Sequence, residues 1–91
     1  MERDPPANAS GGTPRYYFHL YNDVEAADPD GVELPNIGAA RMAALHDARF
    51  TVAETIKTEG RFTGDHRIDI EDADGKVLDT VYFRDAVTIE D

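Results

Sequence analysis

The 91-residue chain has no cysteine, a single serine at Ser10, and only nine lysines and arginines against nineteen aspartates and glutamates. Each shortage excludes a chemistry. Without cysteine there is neither a disulfide nor a thiolate metal site, so zinc fingers, zinc ribbons and disulfide-rich secreted scaffolds are ruled out. Ser10 stands in a Pro-, Gly- and Asn-rich segment with no nucleophile-elbow pattern, which excludes serine as well as cysteine nucleophiles. The formal charge of −10 repels phosphate backbones and anionic lipid, which disfavours direct nucleic-acid or membrane binding. No apolar run approaches the roughly 18 residues a membrane span needs. The opening "MERDPPANASGGTP" lacks the basic start and apolar middle of a signal peptide, so cytoplasmic residence is expected.

What is present divides into two parts. Residues 1–13 carry no periodic apolar pattern that would offset the entropy of ordering them, and they read as a flexible tail. Residues 14–91 read as one domain. "RYYFHLY" holds four of the eight aromatic residues and alternates as a strand, with Tyr16, Phe18 and Leu20 on one face and Tyr17, His19 and Tyr21 on the other. "DPDG" is a turn, Pro29 presetting φ and Gly31 accepting a positive one, and a short edge strand from Gly31 to Leu34 is expected after it.

Asn36 then stands where an N-cap belongs and Gly60 where a C-cap belongs. Between them, steps of 100° put Ile37, Ala44, Leu45, Ala48, Val52 and Ile56 in one stripe flanked by Met42 and Ala53. The spacing predicts an amphipathic helix of about six turns. Phe50 projects roughly opposite this stripe, beside Glu54 and Lys57, where a polar residue is expected.

"HRIDIEDADGKVLDTVYF" contains two alternating runs joined by a Gly-containing turn, the mark of a hairpin. Leu78, Val81 and Phe83 do not share one period of two, so a bulge near Asp79 or Thr80 is needed to bury all three. Val87 and Ile89 alternate and suggest a short final strand or an edge cover. The whole order, β-β-α-β-β with one helix, predicts an α+β two-layer sandwich: one long amphipathic helix packed on a small antiparallel sheet.

With these pieces placed, the chain resembles a family of small uncharacterised bacterial domains, a domain of unknown function found mainly in alpha-proteobacterial proteins. The resemblance is carried by "PRYYFHL", "DGVELPN", "AARMAAL", "DADGKVL" and "VYFRDAV", in that order, and spans about Pro14 to Glu90. Tyr17 stands where that family often has Phe, and Tyr82 where it often has Pro. The family has no established activity, so the resemblance implies no catalytic or binding residue.

The residues themselves offer few sites. "DPDGVE" and "DIEDADGK" crowd carboxylates near glycines, but neither fits an EF-hand. With Gly75 at loop position six, Ile70 and Val81 fall at positions one and twelve; with Gly31 there, Ala26 and Ile37 do. The three histidines, His19, His46 and His66, show no metal-ligand spacing, and His19 can meet His66 only if their strands pair. "GRFTG" lacks both the spacing and the lysine of a phosphate-binding loop. The pairs Asp69 with Glu71 and Asp72 with Asp74 are expected on an exposed hairpin, fully ionised, with no apolar pocket to raise one pKa. Arg41 and Arg49 flank the apolar stripe and are expected to reach the sheet rim.

No catalytic residue, metal site or cofactor is therefore expected, and the chain reads as a non-enzymatic protein-interaction or regulatory module acting on a protein partner or its own copy. The contact residues expected are Tyr17, His19, Tyr21 and Phe50. The alternative is an acidic mimic, whose carboxylates imitate a nucleic-acid backbone and occupy a protein that binds one.

Overall fold

Arg15–Tyr21 forms β1, the strand its aromatic alternation predicts, and the rest of the sheet is built on it. The computed structural model describes residues 13–22 and 25–90. The expected tail, Thr13 apart, lies outside the described residues. After β1 come β2 (Glu25–Ala26), β3 (Val32–Glu33), α1 (Ile37–Glu59), β4 (Arg67–Glu71), β5 (Val77–Tyr82) and α2 (Phe83–Ala86). The strand order is β2-β1-β4-β5, every pairing is antiparallel, and β3 also pairs with β1. The fold is α+β: one long helix with an antiparallel, five-stranded open sheet.

The expected edge strand, Gly31 to Leu34, forms as β3, and β2 is a further short strand on the same edge. β2 and β3 pair with the two ends of the same β1 edge, Leu20 opposite Ala26 and Tyr16 opposite Val32. Between those pairs β1 has residues 17–19 while the edge has residues 27–31, so two extra residues bow outward, the arrangement of an enlarged bulge. Leu34 extends the pairing by donating its N–H to the Pro14 carbonyl at 3.1 Å.

The caps of α1 are those read from the sequence. Asn36 Oδ1 accepts the Ala39 N–H at 2.9 Å, a bond worth about 1 kcal/mol. Gly60 takes φ +77° and donates its N–H to the Ile56 carbonyl at 2.9 Å, closing the last turn.

The buried row of the helix is a correction to the predicted stripe. Ala40, Ala44, Ala48 and Val52 are buried, whereas Ile37, Met42, Ala53 and Ile56 are exposed and Leu45 is half-buried. Residues four apart form a ridge inclined to the helix axis, and such a ridge suits a twisted sheet. Three of its four members are alanines, so the helix backbone can approach the strands closely. Apart from Val52 of α1, the large side chains of the core, Tyr16, Ile68, Ile70, Val81 and Phe83, come from the sheet side and from α2.

β5 carries the bulge, one residue earlier than expected. Ile70 faces Asp79 and Glu71 faces Val77, which leaves Leu78 as the extra residue. The bulge does not bury Leu78, which stays exposed; Val81 and Phe83, two residues apart, share the core side without it, Phe83 as the first residue of a short helix. The expected final strand is absent among the described residues. Val87 packs against the core and Ile89 is exposed. Arg49 Nε donates to the Ala86 carbonyl at 2.7 Å, tying α1 to the end of α2, and Arg41 reaches Asp79 of β5 at 2.8 Å.

Candidate functional site

The expected contact residues fall on opposite faces of the sheet. Tyr16, Phe18 and Leu20 of β1 face α1 with Ile68 and Ile70 of β4, so Tyr17, His19 and Tyr21 lie on the outer face and Phe50, on α1, lies on the other side. These residues are two regions, not one site.

On the outer face, pairing lines side chains into rows across three strands: Tyr21, Arg67 and Tyr82 form one, and His19, Asp69 and Thr80 another. Tyr17 lies opposite Glu71. The Arg67 guanidinium carbon is 4.4 Å from the Tyr21 ring centroid, a cation–π contact. Arg67 Nε and Thr80 Oγ1 both donate to Asp69 Oδ1, at 3.1 and 3.0 Å. Asp69, expected on an exposed hairpin, is 7% exposed because β4 is the strand between β1 and β5 and neighbours cover it on both sides. Its two donors satisfy a carboxylate that burial alone would penalise.

His19 is held at both ring nitrogens. Nδ1 accepts the Asp28 backbone N–H at 3.1 Å, and Nε2 lies 3.4 Å from Glu71 Oε1. An accepting Nδ1 requires the neutral imidazole with its proton on Nε2. His66 precedes β4 and Asp69 faces His19, so the pairing of the strands does not bring the two histidines together. His66 packs edge-on against Phe83 instead, with centroids 5.8 Å apart.

Asp28 completes the broken edge. Its Oδ2 accepts the Phe18 N–H at 3.2 Å, where an uninterrupted strand would supply a carbonyl, and its Oδ1 accepts the N–H groups of Asp30 at 3.3 Å and Gly31 at 3.1 Å. Burial pushes this carboxyl up, but the donors from Phe18, Gly31 and Asp30, with help from His19, outweigh it and hold the pKa below the usual value. Partial burial raises the Tyr21 phenol, and the carboxylates of Glu25, Asp69 and Glu71 add to the rise against the opposing Arg67.

Neither of two concave regions of the molecule is lined by this outer network. One, of about 160 Å³, lies at the C-terminal end of α1 among Thr55, Arg61, Phe62, Thr63, His66 and Phe83. The other is a groove of about 250 Å³ between α1 and the β1–β4 pair, lined by Phe18, Leu20, Asp47, Phe50, Thr51 and Ile68. It exists because α1 packs over β4 and β5 and leaves Phe18 and Leu20 only partly covered. Phe50, 65% exposed, stands at its mouth.

Sequence reasoning named Phe50 but missed its neighbours Phe18, Leu20 and Asp47, since which strand the helix leaves uncovered is a tertiary fact. Asp28 did carry a signal: an aspartate two and three residues ahead of turn N–H groups is the mark of an Asx turn. Asp72 does the same at the hairpin, its Oδ1 accepting from Asp74 at 2.9 Å and Lys76 at 3.0 Å. Among the described residues no group of three or more histidines and carboxylates is placed to hold a metal ion, and no helix is long and apolar enough to cross a membrane.

The fold and these two faces define a small α+β domain with an internally bonded polar face and an apolar groove. The chain belongs to a family known as a domain of unknown function, DUF6894, whose family model matches residues 15–84. No curated protein and no solved structure matches it.

Proposed function

We propose that the protein is a non-enzymatic interaction module of the cytoplasm that receives a protein partner in the groove beside Phe50. The observation that carries this reading is the exposure of Phe50 next to Phe18, Leu20 and Ile68, an apolar ring at the mouth of an apolar groove. The outer face supports it from the other side, because His19, Asp69 and Arg67 spend their polar groups on one another and on the backbone. The test is capture of partners from a cell lysate by tagged wild-type protein and by Phe50→Ala, at low and at high salt. A protein retained by the wild type at high salt and lost from Phe50→Ala supports the reading; capture indifferent to Phe50→Ala overturns it.

The net charge of −10 favours a second reading, an acidic mimic that occupies a nucleic-acid-binding protein. Its signature is binding that falls by decades as salt rises and is unaffected by Phe50→Ala.

A further inference from the structure

We infer that the segment received by the groove is cationic and apolar: one aliphatic or aromatic side chain among Phe18, Leu20 and Phe50, and a lysine or arginine against Asp47. This deepens the interaction reading above and rests on it. A groove of about 250 Å³ is smaller than the roughly 300–1,000 Å³ of sites for drug-sized ligands, and it suits one or two side chains of a peptide.

Asp47 sets the sign of the occupant. It lines the groove beside the apolar side chains, and its carboxylate has no hydrogen-bond or ion-pair partner among the described residues. The arginines and lysine of α1 are turned elsewhere: Arg49 to the Ala86 carbonyl, Lys57 to Glu54, Arg41 to Asp79. An apolar occupant without a cation would desolvate Asp47 unpaired, and an acidic one would add repulsion from a chain of charge −10. That same charge disfavours an anionic membrane surface as the occupant.

The test uses the full chain and labelled synthetic peptides of about nine residues, read by fluorescence anisotropy: alternating lysine–leucine, glutamate–leucine and lysine–serine. The lysine–leucine peptide is expected to bind saturably, with Phe50→Ala and Asp47→Asn each weakening it about tenfold and Asp47→Glu restoring it. Both residues are exposed, so matched thermal melts confirm that the variants fold. Equal binding of the glutamate–leucine peptide, lysine–serine binding that ignores Phe50→Ala, or no saturable binding at all would overturn the inference. A concentration-dependent dimer abolished by Phe50→Ala would overturn it in favour of a second copy of this chain. Lysate capture that depends on Phe50 but not on Asp47 defeats the inference and leaves the interaction reading standing; capture indifferent to Phe50 defeats both.

Discussion

His19 and Asp28 hold each other across the break in the edge strand: the Asp28 N–H donates to His19 Nδ1 at 3.1 Å, while the Asp28 carboxylate accepts the N–H of Phe18, the residue before His19, at 3.2 Å. Two side chains thereby supply what a continuous strand would have supplied with backbone.

The carboxylate makes this closure sensitive to acid. Because the folded pKa of Asp28 lies below its ordinary value of 3.8, its contribution is present above about pH 4 and is lost as pH falls through the lowered value. Asp28→Asn should cost about 1 kcal/mol at neutral pH, and its difference from wild type should shrink as pH falls through the lowered value. Urea unfolding midpoints followed from neutral pH downward check this; a constant difference at all pH values contradicts it.

The imidazole makes a separate, spectroscopic prediction. Long-range ¹H–¹⁵N spectra at neutral pH should show His19 protonated on Nε2 and bare on Nδ1. Removing the acceptor with His19→Phe should quicken hydrogen exchange at the Asp28 amide, measured at the same pH as the wild type. A proton on Nδ1 at neutral pH would exclude the bond to Asp28.

Two glycines with positive φ should respond differently to alanine. At Gly60, φ +77°, a Cβ meets nothing within 4 Å, so the cost is that of the left-handed conformation, about 1 kcal/mol. At Gly31, φ +65°, the Cβ would sit 2.8 Å from the Tyr16 carbonyl oxygen and 2.9 Å from Tyr17 Cε2. Gly31→Ala should therefore cost about 1–2 kcal/mol more than Gly60→Ala in chemical unfolding.

Phenylalanines at Phe83 and Phe50 separate stability from binding. Phe83 is fully buried, and Phe83→Ala should lose about 3–5 kcal/mol. Phe50→Ala should stay within about 0.5 kcal/mol of wild type. A large loss of stability in Phe50→Ala would mean that its ring belongs to the core.

What was legible in the sequence follows from how local each signal is. Asn36 and Gly60 announce the ends of α1 through bonds made within one turn, and the alternation of "RYYFHLY" sorts β1 into faces without knowledge of its neighbours. The burial of Asp69 is not legible in the sequence because it depends on β4 lying between β1 and β5, a pairing that no local pattern encodes. The apolar periodicity of α1 points toward Ile37, Met42 and Ile56 because large apolar residues weigh most in it. The sheet instead meets the alanines, which allow the closest approach. Phe50 was singled out as an anomaly on a polar face, but its groove depends on how far α1 is displaced from β1.

The two edges of the sheet bear on what happens when many copies are crowded together. One is interrupted over residues 27–31 and tied down by a carboxylate; the other is β5, kinked by the extra residue Leu78. A growing fibril needs a straight, unbroken row of free N–H and C=O groups as its template, and neither edge offers one. Restoring the strand by deleting two residues from the bowed segment would mend the hydrogen-bond ladder and, by the same stroke, make the protein more prone to polymerise.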